Sequence, residues 1–416
     1  MGLFPESAYD MKLPKMHRVL QHFDETKLET VEEKVREELN KPEIRALVKP
    51  GMRVAMGVGS RGIKNMALIA KTTGEELIKM GAHPFIVPAM GSHGGGTAEG
   101  QAAILAGYGI TEETMGFPVV SCLEVDEIGV TSSGVHVVID RNAHNADLIV
   151  PLGRVKPHTD FRGPIESGLC KMLTIGLGKF EGCTRLHHMG AVNFPVLIPE
   201  AAKVVIDNAP VGFGVAIIEN SYDQTYHIEA VPADKIHSRE PELLKMAREK
   251  MSSIQLQYVD ALVVKELGKD ISGAGMDPNI IGRAARGRLV DFNGPEIQRI
   301  LVCGLTESTH GNASGIGLAD YVLEECARKI DLVSTSINSV SCGNPEGGRI
   351  PIRVADIKEG VLACLRSGVN VDFDAPRIVF IKNTLELQEI WVSDALVNEV
   401  EAHPNMTLCD ETMEII

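Results

Sequence analysis

The sequence predicts an α/β fold in two domains. A parallel-sheet, Rossmann-like N-terminal domain spans residues 1–255, with 390–416 packing back on it, and a smaller α/β C-terminal domain spans 256–389. Three observations carry this expectation. Short apolar strands alternate with helical segments, and glycine-rich turns follow the strands, as in a parallel sheet covered by helices. The chain of 416 residues is also too long for one ordinary domain. Its residues are 44% hydrophobic but only 4% aromatic, so the cores are aliphatic.

Residues 26–47 read as an amphipathic helix with a charged face. An apolar strand follows at 53–58 and ends in Gly59-Ser60-Arg61-Gly62, then a helix at 64–80 closed by Gly81. A second strand at 84–89 ends in Gly91-Ser92-His93-Gly94-Gly95-Gly96, and a helix runs from 97 to about 106. Both turns leave the carboxyl ends of strands, where open α/β sheets place their ligands. A third strand at 146–151 leads into Gly153-Arg-Val-Lys-Pro-His158-Thr-Asp, and 163–178 is glycine-rich with an apolar middle. Helices are expected at 194–207 and 240–252, with a strand at 212–218 between them. In the second domain the pattern predicts strands at 257–265 and 299–305, a helix at 318–329 and a strand at 330–337. A strand and an amphipathic helix share 376–400.

Composition narrows the function classes. A net charge of −15 without any Lys/Arg block argues against nucleic acid and against an anionic membrane surface. The eight cysteines contain no CxxC pair, so neither a disulfide framework nor a tetrahedral zinc cluster is expected. Reduced thiols, no signal-peptide pattern and no run of about 18 apolar residues point to a cytoplasmic protein. The expected partner is a small molecule, and a homo-oligomer is compatible with these features.

The residues that carry chemistry lie after the strands. His93 and His158 each sit in a Gly/Pro-rich segment directly following an apolar strand, so both belong on one edge of the sheet. A histidine near neutrality takes or gives a proton at pH 7. Lys171, flanked by apolar residues, is either a snorkelling side chain or a nucleophile. His187-His188 reads as a metal ligand with its neighbour or as an ordinary surface pair. In the second domain Asp277, Asn279 and Arg283 line polar loops, which either face a cleft between the domains or serve as solvated, capping turns. The active site is expected in that cleft.

Together, Arg61 in GSRG, His93 in MGSHGGG, His158 in KPHTDFRG, Lys171 in GLCKMLTIG and His187 resemble the nickel-dependent lactate racemase superfamily of 2-hydroxyacid racemases and epimerases, with matching order and long gaps. The resemblance covers about residues 45–200. It implies a nickel-pincer nucleotide, a pyridinium-3,5-bisthiocarboxylic acid mononucleotide that holds nickel, made by dedicated cofactor-synthesis proteins. It further implies that Lys171 tethers the cofactor, that His187 (or its neighbour His188) binds nickel, and that His93 and His158 are the acid/base pair. Arg61 would lie beside substrate and cofactor, with Ser60, Gly94 and Gly95 in the cofactor-facing turns. The second-domain lysine and glutamine that some members use have no clear counterpart here, though the 269–283 loop, with Asp277, Asn279 and Arg283 as candidate substrate contacts, sits at about the right place.

The first turn departs from the family, which usually carries Asp and Thr-Arg-Pro there, and the stretch from His158 to Lys171 is a few residues longer. A divergent branch with its own substrate is expected, and the polar loops favour a sugar acid such as gluconate over lactate or malate. The implied reaction inverts the C2 hydroxyl carbon by hydride transfer through a 2-keto acid. Two other readings remain: a metal- or nicotinamide-dependent oxidoreductase, which the missing dinucleotide fingerprint disfavours, and a cofactor-free binding paralogue.

Overall fold

The computed structural model describes residues 3–5, 7, 9–60, 62–284, 287–288, 292 and 294–416. It is a mixed α/β structure with parallel sheets, as the sequence predicts, and its contacts divide into two units, Asp24–Met251 and Met1–Phe23 with Ser252–Ile416.

The first unit is built on a five-stranded sheet. In spatial order its strands are His83–Pro88, Arg53–Val58, Leu148–Arg154, Phe213–Glu219 and Thr225–Pro232. The first four are mutually parallel and the last is antiparallel. In chain order this is 2-1-3-4-5, a doubly wound arrangement whose direction of winding reverses between Arg53–Val58 and Leu148–Arg154. Alternate side chains feed two cores. Val54, Met56 and Val58 pack with the helices Val31–Leu39 and Met66–Lys79, whereas Ala55, Val87 and Ile149 pack with the helix Phe194–Asn208. Burial on both faces explains why these strands read as nearly continuous apolar runs.

The second unit holds an eight-stranded sheet in the order Ile352–Val354, Tyr321–Leu323, Glu296–Val302, Tyr258–Val264, Ile378–Ile381, Glu389–Ser393, Met16–Gln21 and Met406–Met413. Here the structure differs from the expected layout. The C-terminal residues complete this second sheet, where Met16–Gln21 pairs antiparallel with both Glu389–Ser393 and Met406–Met413. Backbone pairing along the full length of Met16–Gln21 outweighs any apolar face that 390–416 offers another surface.

Three local differences have local causes. The helix expected at 26–47 is two helices, Val31–Leu39 and Pro42–Arg45, because Pro42 cannot donate to a preceding turn and starts a new helix. The helix expected at 318–329 is shortened to Glu324–Arg328 behind the strand Tyr321–Leu323. The strand expected at 330–337 is a helix, Leu332–Ser341, whose N-terminus is capped by Asp331 accepting from Val333 and Ser334 N–H groups. The cap overrides the weak strand preference of a Val/Ile/Ser/Thr-rich stretch. Among the described residues no single helix is long and apolar enough to cross a membrane.

Candidate active site

Both glycine-rich turns leave strands of the first sheet. Arg61 lies outside the described residues. Its neighbour Ser60 hydrogen-bonds through Oγ to His93 Nδ1, and Tyr108 donates to the Ser60 carbonyl at 2.7 Å. The exposed imidazole of His93 is thereby oriented by the turn of the adjacent strand.

The His93 turn rests on a buried polar network. Gln101, fully buried, donates to the carbonyls of Gly91 (2.8 Å) and His93 (3.4 Å). Beneath it, the ammonium of Lys179 has no solvent exposure. It bonds to the Pro88 carbonyl at 2.6 Å, to Gln101 Oε1 at 3.4 Å and to the buried carboxylate of Asp140 at 3.0 Å. The turn itself needs glycine at Gly94, where φ is +67° and a Cβ would stand 2.6 Å from the backbone of Gly100 and Gln101. Gly94 thus serves the turn's own packing, while Gly95 borders open space.

His158 is half-buried in a loop held by Glu166, whose side chain is fully buried. Glu166 accepts from the backbone N–H groups of His158 (2.6 Å) and Gly163 (3.1 Å) and is paired with Arg248. The Asp160 N–H donates to His158 Nδ1 at 3.1 Å, so the neutral ring carries its proton on Nε2. That nitrogen is 2.6 Å from Lys171 Nζ.

Lys171 closes the short helix Leu169–Lys171, which runs through a π-turn at Met172–Gly176 into the helix Lys179–His188. Such π-turns recur at functional sites. At the far end of that helix His187 is half-buried and His188 exposed. Nδ1 of His187 faces the Cys183 carbonyl at 2.7 Å and the Cys183 thiol at 3.5 Å, so the ring is held through Nδ1. Burial pulls the His187 pKa down, but hydrogen bonding and charge from Cys183 outweigh it and the net shift is upward. The Cys183 thiol is raised by burial and lowered further by His187, ending below its ordinary value.

Aromatic packing joins the two histidines. His158 stacks on Phe161 (4.4 Å between ring centres), Phe161 meets Phe194 edge-on (5.5 Å), and Phe194 meets His187 edge-on (5.0 Å). Cys183 also contacts Ser92 Oγ at 3.7 Å, which ties the His93 turn to the His187 helix. The structure thus links Ser60 to His93 and His158 to Lys171 and, through Phe161 and Phe194, to His187; Ser60, His93 and His158 follow the carboxyl ends of three neighbouring parallel strands. The sequence reading missed Glu166, Lys179, Asp140, Gln101 and Cys183. Lys179 offered the same signal as Lys171, a lysine bounded by an apolar, glycine-rich run.

A further missed group is Glu240. It is buried beneath the Lys171 helix, where Oε2 accepts from the Cys170 N–H at 2.9 Å and Oε1 has no hydrogen-bond partner among the described residues. Burial pushes its carboxyl from 4.5 up to about 7, against the pull of the Cys170 and Leu169 backbone groups. The folded chain therefore keeps a proton that the unfolded chain has lost above about pH 4.5. The stability this provides is full below that pH and is lost as pH rises through about 7, by on the order of 3 kcal/mol. Relative to wild type, Glu240→Gln is expected to gain stability in thermal melts as pH rises from about 4.5 to about 7, with the gain levelling off above pH 7. Parallel stability curves would contradict this assignment.

The second-unit residues have structural partners. Asp277 caps the short helix Pro278–Ile281 by accepting from the Asn279 N–H (2.9 Å) and Nδ2 (2.8 Å). Arg283 pairs with Asp320 at 2.7 Å and donates to the Gln298 carbonyl at 2.5 Å. These are the capping and bracing roles that such loops commonly serve.

The fold and site define a doubly wound α/β unit that presents a lysine and several histidines in the loops and helix beyond the carboxyl ends of its parallel strands. Residues 6–195 match the family model of the lactate racemase N-terminal domain. This part of the chain is thus similar to a lactate racemase N-terminal domain. Among solved structures, the chain is similar to the lactate racemase apoprotein from Thermoanaerobacterium thermosaccharolyticum, with 14% identity, TM-score 0.44 and 75% of each chain covered. It is also similar to a structural-genomics crystal structure of a protein from Thermotoga maritima, with 14% identity and TM-score 0.46, covering 66% of this chain and 70% of that one. No curated protein sequence matches.

Proposed function

We propose that the protein is a 2-hydroxyacid racemase or epimerase that works with a nickel-pincer nucleotide. The observation that carries the reading is the gathering of Lys171, His158 and His187, with His93 on the adjoining turn, in one site.

The donor set suits this cofactor. Among the described residues no three His, Cys, Asp or Glu side chains converge on a point that would hold a bare ion. A metal held mainly by an organic ligand needs only one imidazole from the protein, and His187, fixed through Nδ1, offers Nε2. The Lys171 amine, 2.6 Å from His158 Nε2, suits covalent attachment. When bound, the nucleotide supplies reversible hydride acceptance, which spares the weakly acidic C2–H from removal as a proton.

The chain's own residues supply the rest. His158 and His93 hold or accept the hydroxyl proton on the two faces of a planar 2-keto acid, each worth about 10²–10⁴-fold. Ser60 sets the His93 ring and Asp160 the His158 tautomer. Arg61, in the same turn as Ser60, is suited to clamp the substrate carboxylate through its planar fork.

A sugar acid such as gluconate is the preferred substrate, on the ground that the first turn departs from the lactate-type pattern. The test incubates loaded enzyme with lactate, malate and gluconate and resolves the C2 configuration by chiral chromatography. Inversion of gluconate is expected. Inversion of lactate alone would sink the sugar-acid preference, and inversion of none would sink the function.

A further inference from the structure

The helix Leu332–Ser341 is inside out. Its inward face carries Thr335 and Ser339, both buried, and the Ser339 hydroxyl has no hydrogen-bond partner among the described residues. Its outward face carries Leu332, Val333, Ile337 and Val340, which are 61%, 69%, 63% and 72% exposed. An amphipathic helix in a finished surface shows the reverse pattern. Exposed apolar side chains also follow the helix in the chain. Gly348 packs against Ser339 and Thr335, and the chain then runs through the exposed Ile350 and Ile352 into Ile352–Val354, an edge strand of the eight-stranded sheet.

We propose that this face is the contact between two copies of the chain, related by a twofold axis. Three features favour a second copy over other occupants. The first is size. The four helix side chains present on the order of 400 Å² of apolar surface, within the range of the largest patches on monomers and about half of the roughly 800 Å² each partner gives a standard interface.

The second feature is spacing. Val333, Ile337 and Val340 recur at intervals of four and three, the seam that lets a helix pack against its own copy. The third is charge. The flanking segments carry Glu324, Glu325, Asp331 and Glu346 against Arg328, Lys329, Arg349 and Arg353, already paired as Arg353–Glu324 (3.4 Å) and Arg349–Glu346 (3.6 Å). A rim of balanced sign is self-complementary across a twofold axis. An anionic membrane would instead call for an excess of cations.

Sedimentation velocity of the full chain over a range of concentrations tests this, with or without cofactor. Wild type is expected at the mass of a dimer. A Val333→Glu/Val340→Glu variant is expected to weaken self-association at least about a hundredfold, because each charge would be buried unpaired in an apolar seam. Both substituted positions are exposed in the single chain, so its far-UV circular dichroism and melting as a monomer should hold. Val369→Glu, at an exposed position outside the patch, should leave the dimer intact.

A wild type that stays monomeric at tens of micromolar overturns the proposal. So does a dimer indifferent to the double variant, or a monomer that floats with anionic vesicles through Val333 and Val340.

Discussion

Replacing Lys179 with methionine is expected to destabilise the Asp24–Met251 unit by about 3–5 kcal/mol, the usual consequence of stranding one member of a buried ion pair. Asp140 would keep its role as cap for Ala143 N–H (2.9 Å) but lose its counter-ion at a site with no solvent exposure. At roughly 2–4 °C per kcal/mol for a unit of this size, the melting temperature should fall by about 6–20 °C. Lys179→Met/Asp140→Asn should recover a large part of that loss, since no uncompensated charge then remains. It should not restore activity, because Lys179 also holds Pro88 and Gln101 beneath the His93 turn. A thermal melt and an activity measurement on both variants check the two halves separately. A single variant as stable as wild type would show that the pair is not the support for this turn.

His158→Gln should have the largest effect on turnover. Glutamine can still donate an N–H toward Lys171, so attachment of the cofactor is expected to survive. It cannot exchange a proton near neutral pH, so kcat should fall by about 10²–10⁴-fold. Substrate affinity should change far less, because the loss falls on the transition state. Retained turnover would remove His158 from the acid/base pair. Loss of the adduct along with turnover would mean that His158 is needed for attachment as well.

What the sequence made legible follows from how local the signals are. The strands 53–58 and 148–154 stand out because both of their faces are buried and glycine turns bound them. With the strand 83–88 before His93, the same pattern placed His93 and His158 on one sheet edge, and the parallel strand order agrees. The pairing of Met16–Gln21 with the C-terminal strands left no local trace, since nothing in either segment records a partner nearly the whole chain away. The helix Leu332–Ser341 was hidden by its β-branched residues, and only the Asp331 cap marks it.

The supports of the site were hidden for a similar reason. Glu166 matters through Arg248 and Lys179 through Asp140, and each partner is set by the fold rather than by spacing. The polar loop residues Asp277 and Arg283 show the opposite case, in which a composition suited to ligand binding is engaged in capping and bracing.

The central claim is that Lys171 and His187 hold a nickel-pincer nucleotide in the site that His93 and His158 serve. Intact-mass spectrometry combined with nickel analysis tests it most directly, on protein produced together with the cofactor-synthesis machinery. Wild type should carry one covalent adduct mapping to Lys171 and about one nickel per chain. Lys171→Ala should lose the adduct, and His187→Ala should keep the adduct but lose most of the nickel. Active wild-type protein with neither adduct nor nickel would contradict the account.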